Sequence, residues 1–277
     1  LTMALQIFRN EYSKKFLHQL VSGQLDMDRM DYLTRDSFFT GVYEGVIGYD
    51  RIIKMLSVHE DELVIEYKGI YSVEKFLIAR RLMYWQVYLH KTVICAGEMM
   101  IRFVRRAKEL TKAGQQLDVS RSFHYFLAND FSSDTLKTNT ALRDEVLYNF
   151  SRLDDIDVLA ALKNCCVADD FILSYLAKSI VTRKLFRIRL QDDPIDNNYI
   201  NGIKEKVLSQ LPVKESDLSY ILFTGQEENK AYVAGNKEIM ILLPSGEVYP
   251  ISQWREHNVS PKNVIKYYVA HPKNIEI

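Results

Sequence analysis

The sequence predicts a mainly α-helical, HD-like domain followed by a small α+β domain, and three observations carry that prediction. Gly and Pro number only 11 and 6 in 277 residues, a balance that favours helix over an all-β chain rich in turns. The first 182 residues divide into helix-length stretches with few breakers between them. After Arg183 the pattern changes, and Leu185-Phe-Arg-Ile-Arg-Leu190 alternates like a strand.

Taken in order, residues 2–21 read as helix, broken near Tyr12-Ser13, where Ser13 is expected to cap a second segment. Ser22-Gly23 punctuates it. A charged helix follows to about Phe39, and Gly41, Gly45 and Gly48 then loosen the chain. Asp50 to Leu56 and Glu62 to Lys68 are short periodic pieces, the second strand-like. From Ser72, an expected N-cap, to about Leu110 the only Gly or Pro is Gly97, so this stretch is expected to be the longest helix. Further helices are expected at about 119–129, 139–151, 155–164 and 168–181. Asp192-Asp-Pro-Ile breaks the strand after Arg183, and a helix at about 197–210 follows. Strands are expected near 218–223, 230–234, 238–243 and 247–251, with Pro244-Ser-Gly246 as a hairpin turn. The expected organisation is a helical part over 1–182 and an α+β part over 183–277.

The densest chemistry lies in Ser22–Ser37, where four carboxylates and two guanidinium groups fall between Asp26 and Asp36. On a helix starting near Asp26, the residues Arg35, Asp28, Tyr32, Asp36 and Arg29 share an arc of roughly 120°. Leu33, Met30, Thr34, Met27 and Phe38 take the opposite side. Spacing alone leaves two readings open. One is a lattice of ion pairs such as Asp31–Arg35. The other is a cavity wall on which Asp28 binds a metal while its neighbours hold an anionic, sugar-bearing ligand. A second polar-aromatic stripe, Arg80, Tyr84, Tyr88, Lys91, Cys95 and Glu98, recurs at three- and four-residue spacing. It is either a packed amphipathic face or a second wall.

Composition narrows the rest. With 36 basic and 36 acidic side chains the chain has no global basic field for nucleic acid, which leaves local patches open. Three cysteines suit a reducing compartment better than a disulfide framework, and Cys165-Cys166 reads as core. None of the six histidines has zinc-site spacing. There is no signal peptide and no apolar run of the roughly eighteen residues that spans a bilayer, so a soluble cytoplasmic protein is expected. The chain opens as if in mid-helix without an initiator Met, like the downstream part of a longer polypeptide.

Gln24-Leu-Asp-Met-Asp-Arg-Met-Asp-Tyr-Leu-Thr-Arg-Asp36 strongly resembles the signature of HD-domain metal phosphohydrolases of the dNTP triphosphohydrolase branch. Arg80-Arg-Leu-Met-Tyr-Trp-Gln-Val-Tyr-Leu-His-Lys91 and Arg183-Lys-Leu-Phe-Arg187 resemble later family segments in the same order, so the resemblance covers about residues 1–190. It implies that Asp28 is a ligand of a divalent metal (Mg, Mn, Fe, Ni or Zn). Arg29 and Arg80 would contact phosphate, Tyr32 the deoxyribose and Asp36 its 3′-hydroxyl. Tyr88 would sit at the 2′ position, with Tyr84 one turn away. The implied reaction is attack of metal-activated water on the α-phosphorus, giving a deoxynucleoside and triphosphate. Lys68, His90, Lys91, Arg183 and Arg187 match positions of an effector-nucleotide site found at subunit contacts in some members, which implies a homo-oligomer.

The family's other metal ligands, a His and a His-Asp doublet, have no counterpart here, since no His is followed by Asp. Family order puts them upstream of Leu1, so the 277 residues alone are expected to be inactive. Two alternatives are kept. One is an HD phosphohydrolase acting on nucleoside monophosphates or signalling nucleotides, and the other is a non-catalytic nucleotide-binding protein.

Overall fold

Helix dominates the residues that the structure, a computed structural model, describes: 1–229, 238–254 and 264–275. In chain order these carry α1 (Thr2–Phe8), α2 (Lys15–Ser22), α3 (Met27–Thr40), α4 (Tyr49–Met55), β1 (Leu56–His59), β2 (Glu62–Glu66) and α5 (Ile70–Met83). A π-helical turn at Tyr84–Tyr88 precedes α6 (Lys91–Lys112), α7 (Arg121–Ala128), α8 (Ser133–Thr138), α9 (Thr140–Phe150), α10 (Asp155–Cys165) and α11 (Phe171–Val181). Then come β3 (Arg187–Gln191), α12 (Asn197–Gln210), β4 (Phe223–Asn229), β5 (Met240–Leu242), β6 (Val248–Pro250) and β7 (Val264–His271). The fold is mainly helical with small sheets, as composition and periodicity predict. Contacts group it into two units, residues 1–90 with 228–265 and residues 91–227 with 266–277. This grouping differs from the division at 182/183 expected from the sequence, which stays a proposal about modules.

In the first unit, Met30 and Leu33 of α3 pack with Val73, Phe76, Leu77 and Met83 of α5, over Ile65 and Ile241 from the sheet. Each such fully buried side chain contributes about 1.5–3 kcal/mol. The sheet has the order β1-β2-β5-β6. The β1–β2 hairpin is antiparallel, β2 pairs in parallel with β5 (Val64 opposite Met240), and β5–β6 is a second hairpin. Gly246, at φ +89°, turns that second hairpin, as expected from Pro244-Ser-Gly246.

Helix ends depart from the expected signals. The break between α1 and α2 falls where predicted, but Ser13 does not cap α2. The Asp61 carboxylate accepts from the Lys15 N–H at 2.9 Å and its carbonyl from the Phe16 N–H at 3.1 Å. The tight turn of the first hairpin thus caps a helix some 46 residues away. Ser72 does not cap α5 either, since that helix starts at Ile70. A Cβ on Gly69 would lie 2.6 Å from Ile65 Cγ2 and 2.8 Å from Met55 Cβ, so close packing sets the start.

The expected longest helix is interrupted. The Leu89 N–H reaches back five residues to the Tyr84 carbonyl at 2.6 Å, and α6 begins after His90. The run Tyr-Trp-Gln-Val-Tyr concentrates bulky and β-branched residues of middling helix propensity where the turn widens. The stripe from Arg80 to Glu98 is therefore not one helix face, and Cys95 is core rather than wall. Burial pushes its thiol up to about 11. On α3, Met27 and Phe38 are exposed rather than on the apolar side, and Phe38 keeps 80% of its surface.

In the second unit α6 packs against α7, α11 and β3, through a core that includes Met99, Phe103, Leu127, Leu173 and Leu176. Asp170 caps α11 through the Leu173 N–H and takes the Arg106 fork at 3.1 and 2.6 Å. Burial would raise that carboxyl, but Arg106 and the helix backbone hold it below the usual range. The second sheet has the order β3-β7-β4, with Arg187 opposite His271. The strand expected at 218–223 is instead a 3₁₀ turn over Glu215–Tyr220, with the strand starting at Phe223. The one expected at 230–234 lies outside the described residues. α8, β1 and β7 have no counterpart among the elements expected from the sequence. Among the described residues no helix is long and apolar enough to cross a membrane.

Gly45 tests the α3–α5 packing. Rather than loosening the chain, it sits where a Cβ would come within 2.8 Å of Met83 Sδ and Ser37 Cβ and 3.0 Å of the Leu33 carbonyl. Gly45→Ala is expected to destabilise the protein by about 1–3 kcal/mol, read by chemical denaturation.

Candidate functional site

The site is built where α3 begins. Asp26 is the N-cap of α3, accepting the Arg29 N–H at 2.8 Å, and is only 3% exposed. Its carboxylate also takes Nη1 of Arg29, which donates to the Gly23 carbonyl as well. Burial pushes the Asp26 carboxyl up, against the pull of that cap bond and of Arg29. Asp28, in the first turn of the helix, is exposed. Asp31 and Arg35 form the surface pair expected at i,i+4.

The second wall comes from the end of α5 and the π-helical turn. Widening the turn there re-aims the aromatic side chains. The Tyr88 hydroxyl donates to Asp36 Oδ2 at 2.7 Å, joining residues 52 apart in sequence. The Tyr88 ring meets Tyr32 edge-on at 6.0 Å and Tyr84 edge-on at 5.2 Å. Burial and the Asp36 carboxylate both push the Tyr88 phenol well above its ordinary 10.0. Burial likewise raises Tyr32. Arg80 is 5% exposed, lies 5.9 Å from the Tyr84 ring centre, and donates Nη1 to Gln24 Oε1 at 3.2 Å. Its Nε is buried with no hydrogen-bond partner.

The structure thus gathers Tyr32, Asp36, Tyr84 and Tyr88 into one cluster, with Arg80 on Tyr84 and Arg29 held at the head of α3. Arg29 and Arg80 form a cationic end beside the buried Asp26, a chemistry that can meet an anionic group. Asp26 and Gln24 are not among the site residues that the sequence predicts. Their acceptor roles toward Arg29 and Arg80 are set by the turn before α3, where helical spacing says nothing. A cavity of about 890 Å³ in the same unit is lined by Ser22, Gly23, Gln24 and Leu25 together with residues of α2 and the sheet. None of Asp28, Tyr32, Asp36, Arg80, Tyr84 and Tyr88 lines it, and the chemistry lies with the side-chain cluster.

Among the described residues no group of three or more His, Cys, Asp or Glu is arranged to hold a metal ion. One exposed carboxylate, Asp28, is a single donor and not a metal centre. Of the expected effector-site residues, Lys68 and His90 belong to the first unit and Lys91, Arg183 and Arg187 to the second; all five are exposed.

A family model described as the HD associated region matches residues 47–125. A crystal structure of a phosphohydrolase from Bacteroides thetaiotaomicron VPI-5482 is 44% identical with a TM-score of 0.91, covering 99% of this chain and 68% of that one. The uncharacterised protein YwfO of Bacillus subtilis is 31% identical over 184 residues, 66% of this chain and 39% of its own length. A deoxynucleoside triphosphate triphosphohydrolase SAMHD1 homolog of Dictyostelium discoideum is 26% identical over 113 residues, 40% of this chain and 22% of its length. The chain spans 39% to 50% of the first curated relatives it matches.

The Tyr88–Asp36 bond has a pH signature. Because the folded state raises the Tyr88 phenol above 10.0, the bond's contribution is full below that pH and is lost as pH rises past it. Tyr88→Phe is expected to cost about 1 kcal/mol at pH 7. The difference from wild type should shrink in alkaline solution, which denaturation curves across the pH range check.

Proposed function

Because this chain belongs to the HD-type phosphohydrolases, we propose that it supplies the nucleotide-binding wall of an active site that hydrolyses deoxynucleoside triphosphates to deoxynucleoside and triphosphate. The observation that carries this is the Tyr88–Asp36 hydrogen bond beside Tyr32. A carboxylate fixed by a phenol offers an acceptor for a sugar 3′-hydroxyl. The packed ring of Tyr88 occupies the space a 2′-hydroxyl would need, and the Tyr32 ring gives an apolar face for the sugar. Arg29 and Arg80 provide the cationic end for the phosphates. The likeness to the Dictyostelium triphosphohydrolase homolog supports the substrate class.

Asp28 would be one donor to a divalent ion. The remaining donors would come from parts of the full-length protein outside residues 1–277. The ion supplies charge neutralisation at the phosphoryl oxygens and an activated water, whereas these residues bind and orient the nucleotide. A nucleotide effector at Lys68, His90, Lys91, Arg183 and Arg187, self-association and a cytoplasmic location belong to the same proposal.

The full-length protein, incubated with each dNTP and Mg²⁺ or Mn²⁺, is expected to release inorganic triphosphate. Release of monophosphate or pyrophosphate alone would sink the assignment. Tyr88→Ala is expected to admit ribonucleotides, raising their kcat/KM relative to the deoxy forms by about tenfold or more, since one steric or polar group in a pocket is worth about 1–3 kcal/mol. An unchanged ratio would point to a substrate recognised without its sugar.

A further inference from the structure

The four residues before α3 do more than connect it to α2. Within Gly23–Asp26, the Gly23 carbonyl and the Asp26 carboxylate accept from Arg29, and the Gln24 amide oxygen accepts from Arg80. One short segment therefore addresses both arginines, which lie 51 positions apart in the sequence. The two are held in chemically different ways. Arg29 is paired with a carboxylate, so much of its charge is met inside the protein. Arg80 is held at Nη1 by a neutral amide, which fixes the plane of the guanidinium without pairing its charge directly with a carboxylate.

A second observation points the same way. Arg80 is 5% exposed, and its Nε is buried with no acceptor. A buried N–H without a partner is costly, and in a cationic group the cost persists until an acceptor arrives. Nε and Nη2 share one edge of the guanidinium fork, the edge that takes two oxygens of a phosphate side by side. Nη1 lies on the other side of the fork, and that is the atom Gln24 occupies.

We propose that Gln24 is a positioning residue: by taking Nη1 with an uncharged acceptor, it reserves the Nε edge of Arg80 for the terminal phosphates of the bound nucleotide. This rests on the phosphate-binding reading of Arg80 given above. A glutamate in the same place would keep the geometry but pair the charge. A methionine would keep the volume and lose the acceptor.

The test uses the full-length protein as wild type, Gln24→Met, Gln24→Glu and Arg80→Ala, titrated calorimetrically with inorganic triphosphate. Gln24→Met is expected to weaken binding roughly tenfold, the loss of one hydrogen bond to a charged group, with an unchanged melting temperature and, in assays, a raised KM at constant kcat. Gln24→Glu is expected to weaken it at least as much although it keeps an acceptor; a purely structural Gln24 would tolerate this change better than methionine. Wild-type affinity in either Gln24 variant overturns the proposal while leaving Arg80 in the site. Wild-type affinity in Arg80→Ala overturns the phosphate-binding reading beneath it.

Discussion

The hydroxyl of Tyr88 resting on the carboxylate of Asp36 joins the two walls of the candidate site, and each of its neighbours depends on that junction. Asp36 lies one turn along α3 from Leu33, which is fully buried in the core shared with α5. Tyr88 lies in the widened turn at the end of that same packed helix. If α3 rotated or slid on α5, the half-buried phenol and carboxylate would separate and each would need another partner. Packing of Met30, Leu33, Phe76 and Met83 therefore sets a hydrogen-bond length, and the hydrogen bond sets where the Tyr32 and Tyr84 rings can sit.

Electrostatics divides the same cluster into two ends. At one end an acceptor carboxylate is held by a phenol whose ionisation is suppressed, which is suited to a neutral hydroxyl. At the other, Arg29 and Arg80 face a single buried carboxylate, Asp26. A nucleotide has this polarity, with sugar hydroxyls at one end and phosphates at the other. Asp28 stands exposed beside the cationic end. It is one donor, and the chain spans 39% to 50% of the relatives' length.

Much of this was legible in the sequence, for physical reasons that differ by element. The polar face of α3 follows from 100° per residue, and its motif carried the resemblance. Arg80, Tyr84 and Tyr88 were legible as a stripe, but their continuation through Lys91 to Glu98 was not real, because a π-helical turn shifts the phase after Met83. Capping of α2 by Asp61 and the pairing of Val64 with Met240 were illegible, since both join residues far apart in the chain. Gln24 carries no helical-spacing signal because it precedes the helix. Only the tertiary approach of Arg80, 56 residues on, gives its amide a role.

The most direct measurement is a crystal structure of the full-length protein with a non-hydrolysable deoxynucleoside triphosphate analogue. The 3′-hydroxyl is expected within hydrogen-bonding distance of Asp36, with the Tyr88 ring against C2′ and the phosphates at Arg29 and Arg80. A nucleotide whose sugar lies away from Asp36 and Tyr88, with their hydrogen bond unchanged, would contradict the assignment of this cluster as the sugar site.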